Sequence, residues 1–232
     1  MKFDGMVQTN YLERSSCKKF LKYTENPMRN ILITLAVIAT LGTQVGADPF
    51  FVEGNIIFFD TENSSTTDEI EFGQRDQLLQ ILKKNMGIDT LVLNSGGGMI
   101  DEAKEIADLV IDVGLNTHVE LFCESACVTI FLAGENRTLA LGGKIGFHAS
   151  WWDATSMEKY YQSEKQDKGW ETPFDFASWL YEDTQSEIFA DFEYLLERGV
   201  KPDFAIQTLK AGSDGMWYPR RSNLRQAGIL TE

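Results

Sequence analysis

The stretch Asp89-Thr90-Leu91-Val92-Leu93-Asn94 constrains the fold more than any other part of the chain. It is short, apolar on both faces, and bounded by Gly87 on one side and Gly96-Gly97-Gly98 on the other. That pattern reads as a strand buried on both sides, as in parallel sheets. Directly after the glycines, Ile100, Ala103, Ile106, Ala107, Val110 and Ile111 recur at helical spacing until Gly114, so the strand feeds a helix.

The same alternation runs through residues 55–148. A strand is predicted at 55–60 and a helix at 72–84, where Leu78, Leu79, Ile81 and Leu82 share one side. Another strand follows at 117–123, then a short helix at 125–133. Two short strands at 137–141 and 144–148 flank Gly142-Gly143. The order β-α-β-α-β-α-β-β predicts an α/β fold with a mainly parallel sheet and right-handed crossovers. Beyond His148 the chain turns aromatic. Trp151, Trp152, Trp170, Phe176, Trp179 and Tyr181 lie within 149–199, which reads as a helical arm whose aromatic stripe packs. Pro173 opens a long helix ending at Gly199, and shorter helices are predicted at 201–210 and 222–227.

Residues 31–41, ILITLAVIATL, form an apolar run behind Arg29 and ahead of Gly42-Thr43-Gln44-Val45-Gly46-Ala47. A basic start, a short apolar middle and small residues at the end define a secretory signal. The run is shorter than the ~20 apolar residues of a membrane span. An uncleaved N-terminal anchor is the other reading. Starting at Met28 gives a signal of ordinary proportions, so residues 1–27 are expected to precede the true start or to be a dispensable leader. The mature part, 48–232, is expected to be one domain, periplasmic or secreted.

That part carries 15 Lys and Arg against 32 Asp and Glu, a net charge of −17. Such a body repels nucleic acid, and no nucleic-acid partner is expected. The acidity serves solubility and would favour cationic substrates. Cys17 falls in the leader, leaving Cys123 and Cys127. In an oxidising compartment they could bridge; as two buried thiols they would pack as small apolar residues. No metal site or cofactor is expected, since Cys-x3-Cys has no third ligand nearby and Asp101 stands where a dinucleotide fingerprint needs glycine.

Chemistry in a parallel sheet gathers at the carboxyl ends of its strands. Three pieces meet that condition: the Gly96-Gly97-Gly98 turn, Ser125 and His148. A serine needs a base to take its proton, and the chain has only two histidines. His118 falls mid-strand and reads as structural. The backbone N–H of Ala126 and the loop at Gly97 would supply donors to an oxyanion, each worth ~2.7–4 kcal/mol of barrier.

These residues, with Ala133-Gly134, Arg137 and Ile145-Gly146-Phe147-His148, resemble the Clp protease proteolytic subunit (ClpP) within the ClpP/crotonase superfamily. The signal and the Cys123-Glu124-Ser125-Ala126-Cys127 turn are more similar to periplasmic ClpP-like proteins. The resemblance implies stacked ββα units with a C-terminal helical arm. It also implies a serine peptidase, a peptide or protein substrate and a homo-oligomer. Ser125 would be the nucleophile, His148 the base, and Gly97 and Ala126 the oxyanion hole. Asp214, ahead of Met216-Trp217-Tyr218, would complete a triad, with Asp203 as the fallback. The sequence departs from the cytosolic family at Gly96, where that family has proline, and at Ala149-Ser150-Trp151 after the histidine. Loops for an unfolding ATPase are not recognisable.

Other readings compete. Lys144 could serve as the base of a Ser-Lys dyad like that of signal peptide peptidase A. A catalytically inactive interaction module would keep the fold and bind through its acidic aromatic arm. A crotonase-type acyl-CoA enzyme is weakened by export and by the lack of a basic patch for the coenzyme's phosphates.

Overall fold

The computed structural model describes residues 48–212 and 214–232. The predicted leader and signal, with Met28, the 31–41 run and Cys17, lie outside the described residues.

A hairpin opens the described chain. β1 (Phe50–Glu53) and β2 (Ile56–Asp60) pair antiparallel around Gly54-Asn55. Phe50 stacks on Phe59 inside, and Phe51 on Phe58 across the other face. α1 (Gln74–Lys84) leads to β3 (Thr90–Ser95), and α2 (Ile100–Val113) leads to β4 (Asn116–Glu124). α2 ends where Gly114 adopts a left-handed conformation, a glycine-favoured stop. α3 (Cys127–Ala133), β5 (Arg137–Leu139) and β6 (Lys144–Gly146) follow.

The sheet runs β1-β2-β3-β4-β5, with β6 also on β4, and every pairing after the hairpin is parallel. The expected α/β, mainly parallel architecture is present. Leu91 and Leu93 of β3 are fully buried, each contributing about 1.5–3 kcal/mol by leaving water. Ile57, Ile106, Ile130 and Phe131 close the same core from the neighbouring strand and helices.

β4 is the strand that positions the site. Its first half, Thr117 to Val119, pairs with β5; its second half, Phe122 to Glu124, pairs with β6. The register against β3 slips between Leu93 and Ser95. One strand thus serves two neighbours in succession, and its end lies beside the end of β6. The disulfide Cys123–Cys127 spans that end, with Cα atoms 5.3 Å apart and both residues fully buried.

The arm is two helices. α4 (Ala154–Glu164) begins at Asp153, whose carboxylate accepts from the N–H groups of Thr155 and Ser156. α5 (Pro173–Glu197) begins in a capping box of Thr172 and Asp175. Tyr161, Trp170 and Phe176 form a second small core, flanked by Tyr160 and Trp179. The aromatic-rich segment therefore packs, largely upon itself. α6 (Pro202–Thr208) and α7 (Arg221–Ala227) complete the chain. Among the described residues no helix is long and apolar enough to cross a membrane.

Candidate active site

Parallel pairing sets the meeting of Ser125 and His148. Phe122, Cys123 and Glu124 face Lys144, Ile145 and Gly146 in register, and the N–H of Ser125 donates to the Gly146 carbonyl at 3.1 Å. The chain then leaves both strands together. Ser125 has φ +53°, and among the described residues it is the one non-glycine with positive φ. Such a conformation costs an ordinary residue free energy and persists where surroundings enforce it. It lifts the side chain off the strand, and Ser125 Oγ lies 2.7 Å from His148 Nε2. Lys144 starts β6, at the far end from His148, with its Nζ 5.5 Å above the Tyr218 ring. Of Lys144 and His148, it is the histidine that lies within hydrogen-bond reach of Ser125. His118 Nδ1 instead lies 2.7 Å from Thr138 Oγ1 within the sheet.

The glycine loop is pinned on both sides. Asn94 donates to Asp60 at 3.0 Å, Thr61 to Ser95 Oγ at 2.9 Å, and the Gly96 N–H to Glu62 Oε1 at 2.9 Å. That last bond uses an N–H that proline lacks. Gly97 sits against the serine turn: a Cβ there would lie 2.8 Å from Ser125 Cβ and 2.9 Å from the Glu124 carbonyl. Only glycine permits this approach.

The sequence picked Gly97 as an oxyanion donor, but its N–H is directed to Ser95 Oγ at 3.2 Å. Gly98 forms a parallel bridge with Ile70, in which Ile70 bonds the Gly97 carbonyl and the Met99 N–H. That pattern turns the N–H of Gly98 itself away from Ile70, and among the described residues no partner for it is present. Gly98 adopts φ +141°, a conformation that favours glycine. On the other side, Ala126 and Cys127 begin the turn into α3, where first N–H groups lack helical partners.

Asp214 does not reach the imidazole. Ala211 and Trp217 bond the residues on either side of His148: the Ala149 N–H donates to the Ala211 carbonyl at 2.8 Å, and Phe147 and Trp217 exchange bonds of 3.0 and 2.8 Å. Asp214 lies between those contacts in a turn closed by Gly215 N–H to Gly212 O, and it is exposed. His148 Nδ1 is buried and has no hydrogen-bond partner among the described residues. Asp203 is exposed in the first turn of α6. Trp217 of that segment bridges to Phe147, while Asp214 makes no hydrogen bond to His148. Nearby, the Tyr218 hydroxyl donates to Glu124 Oε1 at 2.6 Å. That bond, more than burial, pushes the phenol up to about 12.

Ser125 and His148 open into a cavity of about 340 Å³ between α2, α3 and α5, mostly apolar. Its size suits a small ligand or a side chain. Among the described residues no cluster of three or more His, Cys, Asp or Glu could hold a metal ion.

This arrangement of sheet, glycine loop and serine turn defines a protein of the ClpP fold. The chain is similar to ClpP1 from Listeria monocytogenes, at 17% identity over 77% of this chain and 90% of that one, with a TM-score of 0.50. It is also similar to the ClpP protease catalytic domain from Plasmodium falciparum (18% identity, 77% and 83% covered, TM-score 0.48). A further similar structure is a peptidase from Plasmodium falciparum (11%, 77% and 94%, TM-score 0.48). No protein-family model and no curated protein matches the chain.

Proposed function

We propose that this chain is an exported serine hydrolase acting on peptides or proteins, with Ser125 as nucleophile and His148 as general base. The observation that carries the reading is the 2.7 Å contact between Ser125 Oγ and His148 Nε2, made by a serine in a strained backbone conformation beside a glycine loop. For Nε2 to accept the hydroxyl proton, Nδ1 must carry the other. Attack of Oγ on a carbonyl carbon moves its proton to Nε2 and places negative charge on the carbonyl oxygen. The N–H groups of Gly98 and Ala126 are the donors for that charge. The imidazolium then returns the proton to the leaving amine, and water repeats the cycle on the acyl-enzyme.

The buried, partnerless Nδ1 favours a second reading, an inactive interaction module, because a triad's third member holds that nitrogen. In the active reading the Gly212–Gly215 turn shifts so that Asp214 accepts from Nδ1. Both are tested together by incubating the mature protein with an unstructured protein and mapping new termini by mass spectrometry. Cleavage by wild type and none by Ser125→Ala is expected, with Asp214→Asn slowing cleavage at least ~10-fold more than Asp203→Asn. No cleavage by wild type establishes the module. Equal rates for the two Asn variants remove Asp214 from the site.

Self-association belongs to the same proposal. α5 exposes Phe174, Tyr181, Phe189 and Leu196, more apolar surface than one helix usually leaves in water. Light scattering should give a mass well above one chain; a monomer at micromolar concentration would contradict it.

A further inference from the structure

The cavity beside Ser125 combines an apolar interior with a strongly negative mouth. Val128, Leu132, Ile188, Phe192 and Leu195 supply the interior. On the two helices that flank it, α2 carries Asp101, Lys104 and Asp108 at helical spacing, and α5 carries Asp183, Glu187 and Asp191, each four apart. Lys104, Asp108 and Asp191 line the cavity directly. Lys104 Nζ reaches Asp191 Oδ1 at 3.4 Å. One ammonium therefore shares the seam with five carboxylates, two on its own helix and three on α5. Glu187 registers the imbalance: burial, then Asp183, with lesser parts from Asp191 and Asp101, holds its carboxyl above the usual range, while Lys104 pulls the other way.

We propose that this site selects peptides in which an apolar residue entering the cavity is adjoined by a Lys or Arg, whose cation lies at the Glu187–Asp191 rim. The inference rests on the reading of Ser125 as the nucleophile and adds the substrate's charge. A cation at the rim completes the neutralisation that Lys104 leaves unfinished. An acidic neighbour would meet uncompensated like charge, a means of rejecting wrong partners. The mature chain's net charge of −17 draws basic substrates toward the same mouth.

The test uses two peptidyl phosphonate probes that share a leucine at the reacting position and differ by one adjoining residue, Lys or Glu. A small uncharged fluorophosphonate serves as control, and labelling rates are measured on the mature protein. The Lys probe should react about tenfold faster or more at low salt, with the ratio falling toward one at ~0.5 M salt. Glu187→Gln and Asp191→Asn should each shrink the ratio, and Lys104→Met should enlarge it. Equal rates, or a faster Glu probe, with the control still labelling Ser125, overturn the charge preference and leave the serine reading standing. Labelling by none of the three overturns the serine reading, and this inference with it.

Discussion

His148→Ala is expected to lower kcat/KM for peptide hydrolysis by about 10⁴-fold or more, and Ser125→Ala by a similar factor. The double variant should be scarcely worse than either single one. The reason is the single 2.7 Å contact through which both act: without the base the hydroxyl is a poor nucleophile, and without the hydroxyl the base has no proton to take. Neither substitution removes much buried surface, since both residues are only partly buried. Urea unfolding midpoints should therefore stay close to wild type while activity disappears. Losses that multiply in the double variant would mean that the two side chains act independently.

The second large effect concerns stability. Arg137→Leu is expected to cost about 3–5 kcal/mol. The Arg137 guanidinium is buried and, among the described residues, pairs with no carboxylate. It donates to the carbonyls of Ile229 (2.9 Å), Leu132 (3.3 Å), Arg198 (3.0 Å) and Gly228 (2.8 Å). Arg198 adds bonds to Leu132 and Ala133 at 2.8 Å each. The end of α3, the end of α5 and the C-terminal turn thus share one hub. Burial, with Arg198 beside it, holds the Arg137 pKa below the usual guanidinium value, but the group remains charged at neutral pH. Leucine would strand several buried acceptors at once. Arg137→Lys keeps the charge yet loses the planar fork, and should fall between the two. Equilibrium urea unfolding checks the order wild type, Lys, Leu; a leucine variant as stable as wild type would mean the carbonyls find water.

The parallel core was legible because its signals are local. The apolar run at Leu91 to Leu93, the glycines after it and the 3.6-residue period of α2 determine a strand, a turn and a helix without distant information. Asp153, which caps α4, was a readable signal passed over amid the aromatics around it. The β1–β2 hairpin was passed over too, although Gly54-Asn55 between two apolar runs is a turn signature.

What was not legible depends on three dimensions. Nothing in residues 116–124 says that β4 changes partners midway, yet that switch puts Ser125 beside His148. Spacing pointed to Asp214 but carries no information on the direction of a side chain. Nor does the glycine run itself say that Ser95 Oγ accepts from the Gly97 N–H. The two cysteine alternatives also depend on three dimensions: Cys123, next to last in β4, and Cys127, first in α3, have Cα atoms 5.3 Å apart and are bridged.

The most direct measurement is mass spectrometry of the mature protein after reaction with a fluorophosphonate. A single adduct on Ser125 in wild type, formed far more slowly in His148→Ala, is the predicted result. A folded wild-type protein that stays unmodified at Ser125, or that carries its adduct on another residue, would contradict the account.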